Sequence, residues 1–560
     1  MSRVALLPLD DRPVNYDHPW WLGSAAGIDV IRPPREWLGS PFRAAAQERL
    51  VEWLRDEASS VDGLIVAIDT LGYGGLIPSR QSTTALEDVV AALEPLRAIR
   101  TARPTTPILV FSILMRVNRS NSAEEEKAYC ATYGADLFRL SYLDDKVGRG
   151  DADKRESTER NQLAAAVPSE VVADYRAGRA RNHAINRLML EWAADGVVDY
   201  ALIGQDDTAA YGWNIAEAHE LRRLIDRDGL AARASVYPGT DEVGSLLIAA
   251  FACREANFAP RVWPRYSGVD GAFAVTAYED RPFGEFIKAH LGPLGGSLAG
   301  SPDDADLILA VNAPGVAQAE AWLQPAVRNP GRVSAHEGAG KIDAAALARV
   351  DREMTTTRRD VDELARCVAA DIAAGRTVAV VDVAFVNGAD LAFAGTLLAR
   401  VPLARLAAYA AWNTAGNSLG SALAQGVVRA ITCRVEQPAG VLNAHLGLLF
   451  IHLLDDYVFQ GLVRTDLLLD DLPSLGLGVS FERLPEGVLP EIERRLGERL
   501  EAHVESIGER LAADSIANGP TVLRVTTYAI EPPTLPWQRV FEIAITPRIE
   551  TATAPKAHRA

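Results

Sequence analysis

Short apolar runs with polar or glycine-rich tips recur along the chain, separated by stretches in which apolar residues follow helical spacing. Runs at 4–9, 28–31, 63–70, 107–114, 200–203, 234–237, 272–277, 307–311, 377–385 and 406–411 have the length and continuity of buried strands. Between them, residues 180–194 place Ile185, Leu188, Met189 and Trp192 on one helical face, and 243–253 forms a second apolar helix. Beyond about 435 the alternation stops. Segments 440–460 and 491–513 predict helices, and 521–530 and 539–549 predict two strands joined by the proline-rich loop 531–536.

Alternation of this kind predicts an α/β body whose parallel strands are covered on both faces. A (β/α)8-like barrel with insertions and a C-terminal helical and β cap is the expected fold, because barrel sites are built from polar loops at the carboxyl ends of strands. The nine or ten strands before 435 keep a second arrangement open, two doubly wound α/β domains divided near Gly268. The expected organisation is a catalytic body over 1–435 with a charged helical insertion at about 123–179, a cap over 436–550 and a flexible tail over 551–560. The insertion carries the acidic run at 124–126, expected as solvated charge.

A chain of 560 residues with 48% hydrophobic and 23% charged residues has ample material for a globular core. Its net charge of −17 argues against nucleic acid and anionic membrane as partners and favours a neutral or cationic small ligand. Cys130, Cys253, Cys367 and Cys433 are widely spaced and are expected as buried thiols in a reducing compartment. The N-terminus enters a strand without a signal-peptide pattern, so a cytoplasmic location is expected. The apolar run 441–454 is interrupted by Asn443, His445 and His452 and is too short for a bilayer core of about 30 Å, so it is expected as a core helix. Homo-oligomerisation is left open.

The chemistry sits at the strand tips. Strand 200–203 leads through Gly204 and Gln205 into Asp206 and Asp207, then Tyr211, Trp213 and Asn214 before a helix. Adjacent carboxylates cannot both ionise freely, so such a pair can supply an acid and a base; the alternative is a helix cap and a salt bridge. Other tips carry Asp10, Asp11, Arg12 and Asn15; Asp69, Tyr73 and Arg80; Asn118; Asp241; and Tyr409, Trp412 and Asn413. These are the candidate substrate-binding residues, with Asp206 and Asp207 catalytic, and neither cofactor nor metal is expected. Gly338-Ala-Gly-Lys341 lacks the full phosphate-loop pattern. Gly416-Asn-Ser-Leu-Gly420 matches a nucleophile elbow, but its distance from the preceding strand suits small residues opening a helix.

Leu9-Asp-Asp-Arg-Pro13, Tyr73-Gly-Gly-Leu-Ile-Pro-Ser-Arg80, Gly204-Gln-Asp-Asp207 with Tyr211-Gly-Trp-Asn214, and Trp412-Asn-Thr414 together resemble the domain-of-unknown-function family 4127 across most of the chain. That resemblance carries no activity. The acid pair with nearby Tyr, Trp and Asn also resembles hexosaminidases that use the substrate's own acetamido group. This second resemblance implies that Asp206 orients that group and Asp207 protonates the leaving oxygen. Tyr211 or Tyr409 would hold the acetamido oxygen, and Trp213 or Trp412 would wall its methyl. The expected activity is therefore glycoside hydrolysis of a small N-acetylhexosaminide. The alternatives are a divalent-metal hydrolase or sugar isomerase using Asp10, Asp11, Asp69, Asp206 and Asp207, and a non-catalytic sugar-binding protein.

Overall fold

A computed structural model describes residues 1–329, 331–334 and 342–554. The phosphate-loop comparison at Gly338 to Lys341 lies outside these residues. The first sheet contains β1 (Arg3–Leu7), β2 (Asp29–Ile31), β3 (Gly63–Ala67), β4 (Ile108–Leu114), β5 (Tyr200–Gln205) and β6 (Ala234–Pro238). All are parallel, in the order β2-β1-β3-β4-β5-β6. Every residue of β3, β4 and β5 is buried, which is why these strands appear as unbroken apolar runs.

The next strands are β7 (Arg261–Tyr266), β8 (Ser297–Leu298), β9 (Leu307–Asn312), β10 (Ala319–Glu320), β11 (Val378–Asp382), β12 (Phe385–Val386) and β13 (Ala408–Ala410). Five of them make a second parallel sheet in the order β13-β11-β9-β7-β8, and β10 pairs with β12 alone. Read from β8, this sheet repeats the winding of the first: the second strand lies outside the first, and later strands are added on the other side. The described strands therefore form two open parallel sheets, with no closed barrel among them, and the second begins just before Gly268. The barrel expectation came from strand and helix alternation with polar strand tips, which open and closed sheets share, whereas closure depends on which edges pair.

Helices join the two sheets into one core. Helix Val243–Glu255, buried from Val243 through Cys253, packs on helix Ala415–Thr432, and helix Pro13–Ala25 contacts both. Helix Ala439–His452 adds to this layer and continues through π-helical turns at Leu453–Val463 and Leu467–Asp471. The continuous Ala439–Ser474 helix contains an 18-residue stretch of mean hydropathy 1.4 and is, by length and composition, able to cross a membrane. Its most apolar window is 89% buried inside the protein, as a core helix would be. The C-terminal strands β14 (Ile516–Asn518), β15 (Thr521–Ile530) and β16 (Pro547–Thr553) form an antiparallel sheet on which helix Leu489–Ala513 lies.

Four local expectations change. Residues 272–277 are not a strand; Phe273 and Val275 are exposed, and the strand is the preceding Arg-Val-Trp-Pro-Arg-Tyr segment, whose charges and proline hide it. The last strand starts at Pro547 rather than 539 and extends through Thr553 into the expected tail, because its partner β15 is ten residues long. Cys433 is exposed and Cys367 only half-buried. Within the charged insertion, whose helices include Cys130–Gly148 and Lys154–Ala166, Glu126 is buried rather than solvated.

Candidate active site

The carboxyl ends of both sheets and the C-terminal segment enclose a cavity of about 390 Å³. In the first sheet the strand order reverses between β1 and β3, where the loops diverge and leave a crevice. The loops after these strands deliver Arg12 and Arg80 to the cavity, and those after β4, β5 and β6 deliver Asn118, the acid pair and Asp241. From the second sheet come Asn387 and Asn413, and from the C-terminal segment Trp537, Arg539 and Phe541.

The two acids at the tip of β5 have different surroundings. Asp206 Oδ2 accepts from Arg80 Nη2 at 2.6 Å, and its Oδ1 accepts the backbone N–H of Asp207 at 3.1 Å. Asp207 faces Arg116 at a looser 3.5 Å, and its side chain is 27% exposed against 10% for Asp206. Burial, reinforced by the Asp206 charge, pushes Asp207 up to about 6. One carboxylate is thus clamped by an arginine, while the other can exchange a proton near neutrality.

Around the pair, acids and arginines interlock. Arg80 and Arg116 both reach Glu125 at 3.0 Å, and Arg539 reaches its other oxygen at 2.6 Å. Burial opposes ionisation of Glu125, but Arg539, Arg116 and Arg80 outweigh it and hold the group well below the usual carboxylate range. Arg12 lies between Asp10 at 2.7 Å and Asp241 at 2.6 Å, and Asn15 donates to Asp10 at 3.0 Å. Asn413 donates to Asp241 at 3.1 Å, tying the second sheet to the first across the cavity. Glu279 accepts the Gly416 N–H at 2.9 Å and is driven well above its ordinary range by burial.

The C-terminal segment closes one side. Trp537 donates its indole N–H to Asp11 at 2.7 Å, and the Arg12 guanidinium lies 4.5 Å from the ring centre. Left-handed backbone at non-glycine residues is concentrated at this site: Tyr278 (φ 66°), Asn387 (59°), Asn413 (64°) and Trp537 (55°) all line the cavity. Such conformations carry local cost and persist where the surrounding structure imposes them, often at functional sites.

Of the candidates from sequence, Arg12, Arg80, Asn118, Gln205, Asp206, Asp207, Asp241 and Asn413 line the cavity. Asp10, Asp11 and Asn15 support this lining from behind, and Asn214 donates to the Asp207 carbonyl at 3.1 Å. The others are elsewhere. Asp69 is buried with its carboxylate on the Ile113 N–H at 2.8 Å, and Tyr73 lies beneath Arg181 at 4.9 Å. Tyr211 donates to Asp151 at 3.1 Å and the Trp213 indole to Asp144 at 3.0 Å, so both turn toward the helical insertion. Tyr409 is fully buried, and Trp412 stands behind the lining, edge-on to Phe541 with ring centres 6.3 Å apart. The acetamido-holding roles expected of Tyr211, Tyr409 and Trp213 therefore have no geometric basis. The five aspartates of the metal alternative do not converge, and among the described residues no group of three or more His, Cys, Asp or Glu is placed to hold a metal ion. Ser418 sits in the first turns of helix Ala415–Thr432 and donates to the Trp412 carbonyl at 2.8 Å.

Sequence reasoning missed Arg116, Arg119, Glu125, Glu279, Arg464, Trp537, Arg539 and Phe541. The two arginines flanking Asn118 were a visible signal at a strand tip. Nothing local distinguished Arg464, on a core helix, or the 537–541 segment, most of which falls within the apolar-rich run 539–549 expected as a strand.

Two open parallel sheets wound alike, with a shared polar cavity at their carboxyl ends, define a doubly wound α/β protein with a composite site. The chain belongs to the family described as protein of unknown function DUF4127, matched over residues 4–546. No curated protein matches the chain.

Proposed function

We propose that the protein is a glycoside hydrolase acting on a small carbohydrate in this cavity, with Asp207 as proton donor and Asp206 as its charged partner. The observation that carries this reading is the division between the two acids: Asp206 is held by Arg80, whereas burial and its neighbour push Asp207 up to about 6. An acid poised near the working pH is suited to protonating a glycosidic oxygen. The polar lining supports the substrate class, since Asn118, Asn387 and Asn413 with the surrounding acids and arginines offer donors and acceptors for hydroxyl groups.

For an N-acetylhexosaminide, Asp206 would orient the acetamido group, and the lining aromatics Tyr278, Trp322, Phe481, Trp537 and Phe541 are the groups available to enclose it. The test is hydrolysis of aryl glycosides, acetylated and non-acetylated at the 2-amino position, by wild type and Asp207→Asn. Turnover lost in the variant supports the reading. Equal turnover by both proteins overturns it.

A further inference from the structure

Arg464 is the most deeply buried cation on the cavity wall, at 2% exposure. It sits in the core helix directly after the π-helical stretch Leu453–Val463, a departure from regular helix that recurs at functional positions. Its Nε donates to the Val540 carbonyl at 3.2 Å and its Nη1 to Gln460 at 2.7 Å, while Nη2 has no partner among the described residues. Phe481 and Phe541 flank the guanidinium at 4.9 and 5.1 Å.

The other buried lining arginines, and the less buried Arg116, have acids. Arg12, Arg80, Arg116 and Arg539 each form an ion pair within 3.0 Å. Arg464 has none within 4 Å among the described residues. Glu320, Asp455 and Glu542 act on it only through space, and burial drives Asp455 well above its ordinary range and Glu542 up to about 7, so those two acids are poor counter-charges. Arg539 shares the Phe541 ring with Arg464, at 4.9 Å, and its own buried Nε is unpartnered. A buried cation without a counter-ion is costly, and an arginine presents paired donors that fit an oxyanion.

We propose that the ligand of this cavity is an acidic carbohydrate, whose carboxylate, phosphate or sulfate group is bound by Arg464 with Arg539 beside it. The missing counter-charge is then supplied by the ligand itself. This specificity rests on the carbohydrate reading above but not on the order of catalytic steps.

The test is calorimetric titration of the full-length protein with glucuronate, glucose 6-phosphate, glucose 6-sulfate, neutral glucose, inorganic phosphate and inorganic sulfate, repeated with Arg464→Gln. At least one acidic sugar is expected to bind wild type about tenfold or more tightly than glucose. The variant is expected to lose that preference while still binding glucose, and the anion giving the largest preference identifies the group. Equal affinity for neutral and acidic sugars in wild type, a comparison that needs no variant, overturns the proposal and leaves the carbohydrate reading standing. A preference that survives in folded Arg464→Gln also overturns it. Binding of inorganic phosphate or sulfate with no sugar bound at all overturns the carbohydrate reading and this inference with it.

Discussion

Arg80 and Asp206 are 126 residues apart in sequence, yet their side chains meet at 2.6 Å with both almost fully buried. Arg80 follows β3 and Asp206 follows β5, so this bond forms only once β4 has been inserted between them. The same guanidinium reaches Glu125 at 3.0 Å.

Removing Arg80 therefore leaves buried carboxylates uncompensated. Arg80→Met is expected to destabilise the fold by about 3–5 kcal/mol, measured by urea denaturation. Adding Asp206→Asn to that variant is expected to recover part of the loss. A double variant no more stable than the single would show that the pair is not coupled.

If Asp207 donates the proton, it must be protonated to act. With this group pushed up to about 6, kcat/KM on an aryl glycoside is expected to fall as pH rises through that value. Asp207→Asn is expected to lower the rate about 100-fold or more and to abolish that limb of the profile. A substrate with an acidic phenol leaving group is expected to be affected least.

Stability should carry its own pH dependence. Burial pushes Asp69 up to about 7, far above its unfolded value, so the folded state holds its proton more tightly than the unfolded chain. The stabilising contribution is complete below the unfolded pKa and is lost as pH rises through about 7. Asp69→Asn, whose amide oxygen can still accept the Ile113 N–H, is expected to show a smaller fall in Tm between pH 5.5 and pH 8 than wild type.

Backbone geometry supplies two opposite outcomes. Gln538 has φ +59°, so Gln538→Gly is expected to leave stability unchanged or raise it by up to about 1 kcal/mol in thermal denaturation. Gly420 faces the fully buried Glu242, and an added Cβ would lie 2.0 Å from its Cγ. Gly420→Ala is expected to cost about 1–3 kcal/mol in the same measurement.

The sequence by itself determined the elements and half of the site. Buried parallel strands must be apolar throughout, so β1, β3, β4, β5, β6, β9, β11 and β13 stood out as runs, and polar groups after several of them marked the cavity through Arg12, Arg80, Asp206, Asp207, Asp241 and Asn413. β7 was hidden because its proline and flanking charges break that signal.

What only the tertiary structure decided was which tips meet. Sheet closure depends on edge pairing, which has no signature in one strand's composition, so two open sheets and a barrel look alike along the chain. The turn into a helix also decides where a side chain points: Tyr211 and Trp213 stand only four and six residues beyond Asp207, yet they bond to the insertion. Conversely, Trp537 and Arg539 come more than 400 residues after Asp11 and Glu125, and they join the site only because the C-terminal segment folds back across both sheets.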